Sequence, residues 1–171
     1  MTAFEHTTVD SPVGPLSLVR SGTALAGLYM AEQRHAPPTH VRGTRVDSGW
    51  EAVTEQLDAY WQGSLRAFDL PLLLLGTPFQ RRVWTALQAV AYGETVSYGQ
   101  LAVRIGAPGA ARAVGLANGR NRVGIVVPCH RIIGSTGRLV GYGGGLDRKQ
   151  QLLAHERAHV QEPASTPWRG L

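Results

Sequence analysis

The sequence predicts an α+β fold in two parts: a small N-terminal antiparallel sheet with a helix, then a mainly helical, winged-helix-like C-terminal part containing a helix-turn-helix. Three observations support this prediction. Short apolar runs separated by turn residues open the chain, two capping boxes mark helix starts in its second half, and the net charge changes sign near Gly76. The 171 residues are 43% hydrophobic and 17% charged, a composition typical of a globular protein with a buried core.

The first part, residues 1–76, is predicted to begin with a β-meander. Clusters of Pro, Gly and Ser separate three runs that have the length and composition of strands. These predicted strands are Phe4–Asp10, Pro15–Arg20 and Ala24–Met30. Residues 33–47 follow no clear period and therefore predict a loop.

A helix is predicted to cover the meander. Ser48 and Glu51 have the spacing of a capping box, and the apolar residues that follow recur on one helical face as far as Gly63. The apolar run Phe68–Leu75 has the length of a further strand. Because Gly76 ends this run where the charge balance changes, we place the boundary between two domains there.

The second part, residues 77–160, is predicted to be mainly helical. Two capping boxes start helices in it: Thr77 with Gln80, and Ser97 with Gln100. The second box opens a helix at Tyr98–Ile105, and four residues rich in Gly and Pro separate it from a helix at Ala110–Asn118. Two short helices joined by a tight turn predict a helix-turn-helix.

The rest of this part gives shorter signals. Ile125–Val127 is β-branched and predicts a strand, and the residues on both sides of Ser135–Gly137 predict a hairpin. Gly141–Gly145 predicts a mobile loop with exposed backbone amides. A helix is predicted over Leu146–Glu156, and residues 161–171, which contain two prolines, predict a flexible tail.

The positive charge is concentrated in the second part. Residues 1–76 contain 5 Lys and Arg against 8 Asp and Glu, whereas residues 77–171 contain 12 against 4. All but one of these cations are arginines, whose planar guanidinium groups suit phosphate contacts. The segregation favours a polyanionic partner such as nucleic acid. Arg148 and Lys149 are interpreted as general surface charge.

Several classes of protein are excluded. No apolar run reaches the roughly 18 residues of a membrane span, and the N-terminus has no signal pattern, so we expect a cytoplasmic protein without a membrane partner. The single cysteine, Cys129, excludes an intrachain disulfide and a multi-cysteine metal site. It is either a buried apolar residue or a reactive thiol.

The surroundings of Cys129 favour the reactive thiol. His130 and Arg131 follow it directly, so we expect the segment to avoid apolar burial and positive charge to stabilise the thiolate. Neighbouring side chains of an extended segment point to opposite faces, so a bridging water is expected between Cys129 and His130. Glu156 is the carboxylate expected to orient the imidazole.

These residues carry a resemblance to a known family. The residues concerned are Tyr98, Arg112, Asn121, the Pro128–Arg131 motif, Tyr142 and Glu156. The pattern resembles the O6-alkylguanine-DNA alkyltransferases, also called methylated-DNA–protein-cysteine methyltransferases, closely over residues 77–156 and in general layout before them. The resemblance implies repair by direct reversal: an alkyl group of O6-alkylguanine, or of O4-alkylthymine, in duplex DNA moves irreversibly to a cysteine after base flipping.

The resemblance also implies catalytic roles for individual residues. Cys129 is the alkyl acceptor, His130 is the base that acts through water, and Glu156 holds His130. Tyr98 crowds the phosphate on the 3′ side of the target and donates a hydrogen bond to the flipped guanine. Asn121 ties the recognition helix to the active-site segment.

The remaining implied residues contact the duplex or the flipped base. Arg112 is the finger that enters the base stack from the minor groove. The implied DNA-binding residues are Arg112, Tyr98, Ala110, Ala111, Gly115, Arg120 and Arg122. The implied base pocket contains Cys129, Ile132, Tyr142 and Gly143, with the carbonyls of Cys129 and Ile132 accepting from the guanine amino group.

Two positions depart from the family pattern. Arg122 stands where a proline commonly follows the asparagine, and Gly143 stands where some members have a serine. The zinc-binding members use cysteines that this sequence lacks, so no metal and no cofactor are expected. The resemblance implies a protein that is monomeric in solution and associated with the nucleoid, and it leaves open whether molecules cluster along DNA.

Two other functions are weighed against this one. A non-catalytic helix-turn-helix reader of alkylated DNA accounts for the basic second part, but such relatives lack the cysteine. A cysteine hydrolase accounts for Cys129 and His130, but it requires direct contact between them and leaves Arg112 without a role. An alkyl adduct formed once per molecule separates the transferase from both.

Overall fold

The computed structural model describes residues 3–161, and its first half is built on a four-stranded sheet in the order β3-β2-β1-β4. The strands are β1 (Phe4–Val9), β2 (Leu16–Ser21), β3 (Ala24–Met30) and β4 (Thr44–Arg45). Strands β1 to β3 form the predicted antiparallel meander. Strand β4 pairs parallel with β1, within residues that the sequence predicted to be a loop, after a short 3₁₀ turn at Thr39–Val41.

Helix α1 (Glu51–Trp61) follows the sheet, but it does not begin as predicted. The capping box of Ser48 and Glu51 is wrong, because the helix starts after Trp50 and no side chain caps it. The carbonyl of Ser48 instead accepts a hydrogen bond from Arg20, whose guanidinium lies 4.2 Å from the Trp50 ring centroid. The backbone before the helix is therefore held by β2 rather than by its own cap.

The apolar run after α1 is not a strand. Leu72 makes an isolated bridge with Leu25 of β3, and the rest of residues 68–75 forms no ladder. Pro71 has no amide hydrogen to give to a neighbouring strand, which limits pairing in the middle of the run. Alternate side chains of the run pack on the core, so its apolar character reflects burial.

The second half contains the helices. Its elements are α2 (Pro78–Gln88), β5 (Val96–Ser97), α3 (Tyr98–Arg104), α4 (Ala111–Gly119), β6 (Ile132–Ile133) and α5 (Leu146–Gln161). Both predicted capping boxes are confirmed, at the starts of α2 and α3. Helices α3 and α4 form the predicted helix-turn-helix, and Trp84 of α2 donates a 2.8 Å hydrogen bond to the carbonyl of Ala117 in α4.

The segment before the cysteine is a series of tight turns. The predicted strand Ile125–Val127 is wrong, because Ile125 has a φ of +69°, a conformation that β-branched residues rarely adopt. The predicted hairpin is also absent as a strand pair. Its first arm, β6, pairs in parallel with β5, although the amide of Gly134 still bonds to the carbonyl of Arg138 at 2.8 Å.

Helix α5 is five residues longer than predicted. Leu152 and Leu153 face the core as expected, and Glu156 lies inside the helix rather than at its end. The predicted flexible tail, residues 161–171, lies outside the described residues except for Gln161, which ends α5. Glu156 can therefore project from a rigid helix towards the cysteine segment.

One core of buried side chains runs through both halves of the described chain. Strand β3 is central to it, because its Leu25 bridges to Leu72 and its Leu28 bridges to Val123 in the cysteine segment. The division at Gly76 stays a prediction. No helix within residues 3–161 is long and apolar enough to cross a membrane.

Candidate active site and nucleic-acid interface

Cys129 begins a one-turn 3₁₀ helix, Cys129–Arg131, that leads into β6. The whole turn is buried: 7% of Cys129 and none of His130 is exposed. The segment, which was expected to avoid apolar burial, therefore lies in the interior of the protein. Its polar side chains are accommodated because a carboxylate from α5 reaches them in the interior.

Glu156 is the centre of a buried hydrogen-bond network. Its Oε1 accepts from His130 Nε2 at 2.7 Å, from Arg131 Nη2 at 2.9 Å and from the Tyr60 hydroxyl at 2.8 Å. Its Oε2 accepts from Arg131 Nε at 2.9 Å and from the amide of Gly93 at 3.4 Å. Burial alone would raise the pKa of Glu156, but His130 and Arg131 hold it far below its usual range. Glu156 is therefore a carboxylate at any working pH.

His130 has the tautomer that a base needs. Since Nε2 faces a carboxylate that can only accept, Nε2 carries the hydrogen and Nδ1 carries the lone pair. Nδ1 is buried and has no hydrogen-bond partner among the described residues. Burial lowers the pKa of His130 despite the opposing effect of Glu156, so the ring is neutral near pH 7.

The thiol of Cys129 is held among three polar groups. Burial raises the pKa of this thiol, while a hydrogen bond from Asn121, the charge of Lys149 and a hydrogen bond from Tyr142 act in the opposite direction. The expectation that His130 and Arg131 supply the stabilising charge is wrong. His130 is neutral and Arg131 is bound to Glu156, so Lys149 is the cation that acts on the sulfur.

Lys149 is not a surface residue, contrary to the interpretation from sequence. It is fully buried, and its Nζ donates to the carbonyl of Val140 at 2.9 Å and to that of Gly141 at 3.3 Å. Burial lowers its pKa to about 8, and the Cys129 thiolate acts in the opposite direction. Lys149 thus holds the start of the glycine-rich loop and places its charge near the thiol of Cys129.

Two asparagines connect α4 to the cysteine segment. Asn121 donates to the carbonyl of Val127 at 2.8 Å and accepts from the amide of Val123 at 3.0 Å. Asn118, a residue without a predicted role, donates to the carbonyl of Cys129 at 3.3 Å. The end of α4 and the backbone around Cys129 are therefore joined by side-chain hydrogen bonds.

Tyr98 lies between the helix-turn-helix and the glycine-rich loop. Its hydroxyl donates to the carbonyl of Val140 at 3.1 Å, and a Cβ added to Gly115 would lie 3.5 Å from its ring. Burial, and then the charge of the Cys129 thiolate, raise the pKa of Tyr98. Ile132, the next predicted pocket residue, is fully buried in β6.

The glycine-rich loop packs against the first half of the chain. The carbonyl of Gly143 accepts from the amide of Arg34 at 2.8 Å, and Arg148 bonds to the carbonyl of Ala31. A Cβ at Gly144 would lie 2.5 Å from the sulfur of Met30, so any larger residue here would displace that side chain. Tyr142 and Gly143 line a cavity of about 680 Å³ at this junction.

Helix α4 presents small and cationic residues to solvent. Arg112 is exposed in its first turn and has no ion pair among the described residues. The neighbouring residues Ala111 and Gly115 are small and do not protrude from the helix surface. Leu116 follows Arg112 by one helical turn and is 70% exposed. Such a surface can approach another molecule closely.

Arg120 and Arg122 lie just beyond α4. Together with Arg34 and His35 from the first half, they line a cleft of about 180 Å³. None of these three arginines has an acidic partner among the described residues, so the cleft suits an anion such as a phosphate group. Arg122, where the family pattern has proline, adds to this charge.

A helix-turn-helix whose second helix contacts the backbone of a single cysteine, with a buried His and Glu pair beside that cysteine, defines a DNA-binding protein with a nucleophilic thiol. Family models agree: the DNA binding domain of 6-O-methylguanine DNA methyltransferase matches residues 78–158, and the ribonuclease-like domain of the same enzyme matches residues 5–74. The chain belongs to the 6-O-methylguanine DNA methyltransferase family. The resemblance seen in the sequence is thus confirmed.

Individual relatives extend over nearly the whole chain. The methylated-DNA–protein-cysteine methyltransferase of Mycolicibacterium paratuberculosis is 56% identical over 162 residues, which are 95% of this chain and 96% of the relative. That of Methanosarcina acetivorans is 42% identical over 147 residues, 86% of this chain and 94% of the relative.

Solved structures confirm the fold. The crystal structure of Mycobacterium tuberculosis OGT in complex with DNA has a TM-score of 0.86 at 52% identity and covers 91% of this chain and 94% of that one. The O6-methylguanine-DNA methyltransferase of Pyrococcus kodakaraensis has a TM-score of 0.53 at 19% identity, with 90% of this chain and 98% of that one covered, and shares the fold.

Sequence reasoning missed three residues that act on the group formed by Cys129, His130 and Glu156: Tyr60, Asn118 and Lys149. Tyr60 and Asn118 give no signal, because an apolar helical face and a helix end account for them fully. Lys149 offered one signal: it is the only lysine among 17 cations, and it lies at a position where the helix faces inward. A charge at a core position of a helix indicates a buried partner.

Proposed function

We propose that the protein repairs alkylated DNA by transferring an alkyl group from O6-alkylguanine, or O4-alkylthymine, in the duplex to Cys129, once per molecule and without a cofactor. Its membership of the methyltransferase family supports this activity. The assignment of Cys129 as acceptor is supported by the chain itself, since it contains no other cysteine. The named relatives are methyltransferases that act on methylated DNA and a protein cysteine.

The observation that carries the proposal is the connection from Glu156 through His130 to an imidazole nitrogen without a partner, in the same turn as Cys129. Nδ1 takes the thiol proton through a bridging water, and Glu156 stabilises the imidazolium that forms. Glu156 is already paired with Arg131, so the positive charge of the imidazolium is balanced by the Cys129 thiolate that the same proton transfer creates.

The transfer is an in-line displacement. A bond forms between the Cys129 sulfur and the alkyl carbon, the bond between that carbon and guanine O6 breaks, and the electron pair stays on the purine. Tyr98 is assigned the hydrogen bond to the developing negative charge, for which its hydroxyl hydrogen turns away from the carbonyl of Val140. The product is a thioether, and since no second thiol is available to accept the alkyl group, the protein is consumed.

Recognition of the duplex is assigned to α4. Arg112 occupies the gap that the flipped base leaves, and Ala110, Ala111 and Gly115 allow the helix to lie in the minor groove. Arg120 and Arg122 bind phosphates at the end of the helix. Asn121 then links the bound helix to the acceptor segment.

The base pocket is assigned to the loop that covers the cysteine. Tyr142 bonds to the thiol, and the Gly143 amide and the carbonyls of Cys129 and Ile132 bind the purine edge. Asn118 already donates a hydrogen bond to the Cys129 carbonyl. The guanine amino group therefore either donates a second hydrogen bond to this carbonyl or replaces the one from Asn118. We propose that the protein acts as a monomer near the nucleoid.

Intact-protein mass spectrometry tests the function. After mixing with a duplex that contains O6-methylguanine, the protein is expected to gain a single adduct of about 14 Da on Cys129, which the Cys129→Ser variant does not form. Binding of the duplex without an adduct would instead identify a non-catalytic reader. Repeated turnover of an ester or peptide, with no adduct remaining, would identify a hydrolase.

A further inference from the structure

The proton relay contains one residue from the first half of the chain. Tyr60, in α1, is separated from Glu156 by 96 positions, and its hydroxyl donates to Glu156 Oε1 at 2.8 Å. This is the same oxygen that accepts the hydrogen of His130 Nε2. We propose that Tyr60 is a positioning residue for alkyl transfer, and that through it the first half of the chain sets the reactivity of Cys129. The inference rests on the proposed function.

Tyr60 is itself fixed on all sides. The side chain is fully buried, its ring packs against Trp61, Phe68, Tyr92 and His155, and its backbone carbonyl pairs with His155 Nε2 at 2.8 Å. His155 lies next to Glu156 on α5. The aromatic cluster therefore holds α1 and α5 in one register and aims the hydroxyl at the carboxylate.

The hydroxyl is a donor throughout the working pH range. Burial, and then the neighbouring Glu156, raise the pKa of Tyr60 well above its usual value. Arg131 contacts both oxygens of the Glu156 carboxylate, and Tyr60 contacts one of them. The carboxylate therefore cannot rotate without breaking a hydrogen bond. Tyr60 also withdraws part of the negative charge that His130 faces, which limits how basic the imidazole becomes.

The test compares two tyrosines of the same cluster. Tyr60→Phe removes the hydroxyl and keeps the ring, and we expect the rate constant for alkyl transfer to fall about tenfold, as for loss of a hydrogen bond to a charged group. Tyr92→Phe is the control, because the Tyr92 hydroxyl is also buried but has no hydrogen-bond partner among the described residues. It is expected to react at the rate of the unmodified protein.

Three readouts separate positioning from a structural effect. The loss in Tyr60→Phe is expected to be equal on free O6-methylguanine and on duplex DNA, with unchanged affinity for DNA. The acid side of its pH–rate profile is expected to move to higher pH, because Glu156 then carries more charge and raises the pKa of His130. In a Glu156→Gln background, Tyr60→Phe is expected to cause no further loss, since it acts through the missing carboxylate.

Each result of these experiments either supports or contradicts the role of Tyr60. Wild-type rates in Tyr60→Phe would overturn the inference, and so would equal losses in Tyr60→Phe and Tyr92→Phe. If Tyr60→Phe lowers the transfer rate of the Glu156→Gln variant by the same factor as it lowers that of the unmodified protein, the hydroxyl acts through packing and not through the carboxylate. Circular dichroism of all four variants verifies that they fold. Adduct formation by the unmodified protein tests the proposed function separately, so the two can fail independently.

Discussion

Arg112 and Arg131 place the same side chain in opposite environments. Arg112 extends from α4 into solvent without an ion pair among the described residues, whereas Arg131 is 5% exposed and bonds to Glu156 and to the carbonyl of Val90. The guanidinium of an exposed arginine is free to bind another molecule. The guanidinium of a buried arginine that is bonded to protein acceptors holds those acceptors in place. The proposed function accordingly assigns recognition to the surface of α4 and chemistry to the interior around Glu156. Each can therefore be impaired without the other.

The largest effect is expected from Glu156→Gln. The neutral amide no longer stabilises a protonated His130, so the transfer rate is expected to fall about 100-fold on both free O6-methylguanine and duplex DNA. DNA affinity is expected to remain, as measured by titration of a labelled duplex. Glu94→Gln, whose partner Arg104 is exposed, is the matched control and is expected to react normally.

Glu156→Gln is also expected to reduce stability, because it leaves the buried charge of Arg131 without a counter-charge. Breaking such a pair typically costs about 3–5 kcal/mol. Rates are therefore compared at a temperature where circular dichroism shows the variant folded. A Glu156→Gln protein that is folded and reacts at the normal rate would remove Glu156 from the relay.

Arg112→Ala is expected to have the next largest effect, and only on DNA. In this variant no side chain fills the gap that the flipped base leaves in the base stack, so the flipped state is less stable. The transfer rate on duplex DNA is therefore expected to fall about tenfold or more. The rate on free O6-methylguanine is expected to stay the same. Arg45→Ala, which removes an exposed arginine paired with Asp47, serves as the control. Equal losses on the two substrates would contradict the assignment of the finger.

A smaller effect is expected from Lys149→Gln, which keeps a donor for the loop carbonyls but removes the charge. The charge of Lys149 lowers the pKa of the thiol, so the variant is expected to react several-fold more slowly below pH 8. Above pH 8 the difference is expected to shrink, because Lys149, with a pKa of about 8, then loses its own proton.

The pH profile of Lys149→Gln is read against Arg157→Gln, an exposed cation on the same helix. A constant ratio between Lys149→Gln and the unmodified protein at every pH would show that Lys149 acts by holding the loop rather than through its charge. The Arg157→Gln profile is expected to superimpose on that of the unmodified protein.

The smallest effect is expected from Arg122→Ala. It removes one cation of the cleft beyond α4, so DNA affinity is expected to weaken modestly and the slope of log affinity against log salt to decrease by about 1. The transfer rate at saturating DNA is expected to be unchanged. A slope equal to that of the unmodified protein would place Arg122 outside the interface.

The sequence predicted best what local rules determine. The capping boxes at Thr77 and Ser97 depend on residues three apart, and both helices start where they indicate. The Ser48 box has the same spacing and fails: the helix starts after Trp50, and Arg20 of β2 holds the backbone before it through the carbonyls of Ser48 and Gly49. A local signal therefore holds only where tertiary contacts leave the local backbone free to follow it.

The candidate site shows the same limit. The family motif indicated Cys129, His130 and Glu156, and the structure brings His130 and Glu156 within 2.7 Å, although their chemical roles stay predictions. The burial of Lys149 and the contact of Tyr60 with Glu156 depend on how α1 and α5 pack, which no short pattern encodes. Likewise, Ile125 has a φ of +69° and breaks the strand that its β-branched side chain favours.

The most direct test of the separation between the two regions is a single set of four rate constants. Glu156→Gln and Arg112→Ala are each measured on free O6-methylguanine and on the same base in duplex DNA, relative to the unmodified protein. The account predicts equal losses on both substrates for Glu156→Gln and a loss confined to the duplex for Arg112→Ala. A loss confined to the duplex for Glu156→Gln would contradict it, because the buried network would then serve recognition rather than chemistry.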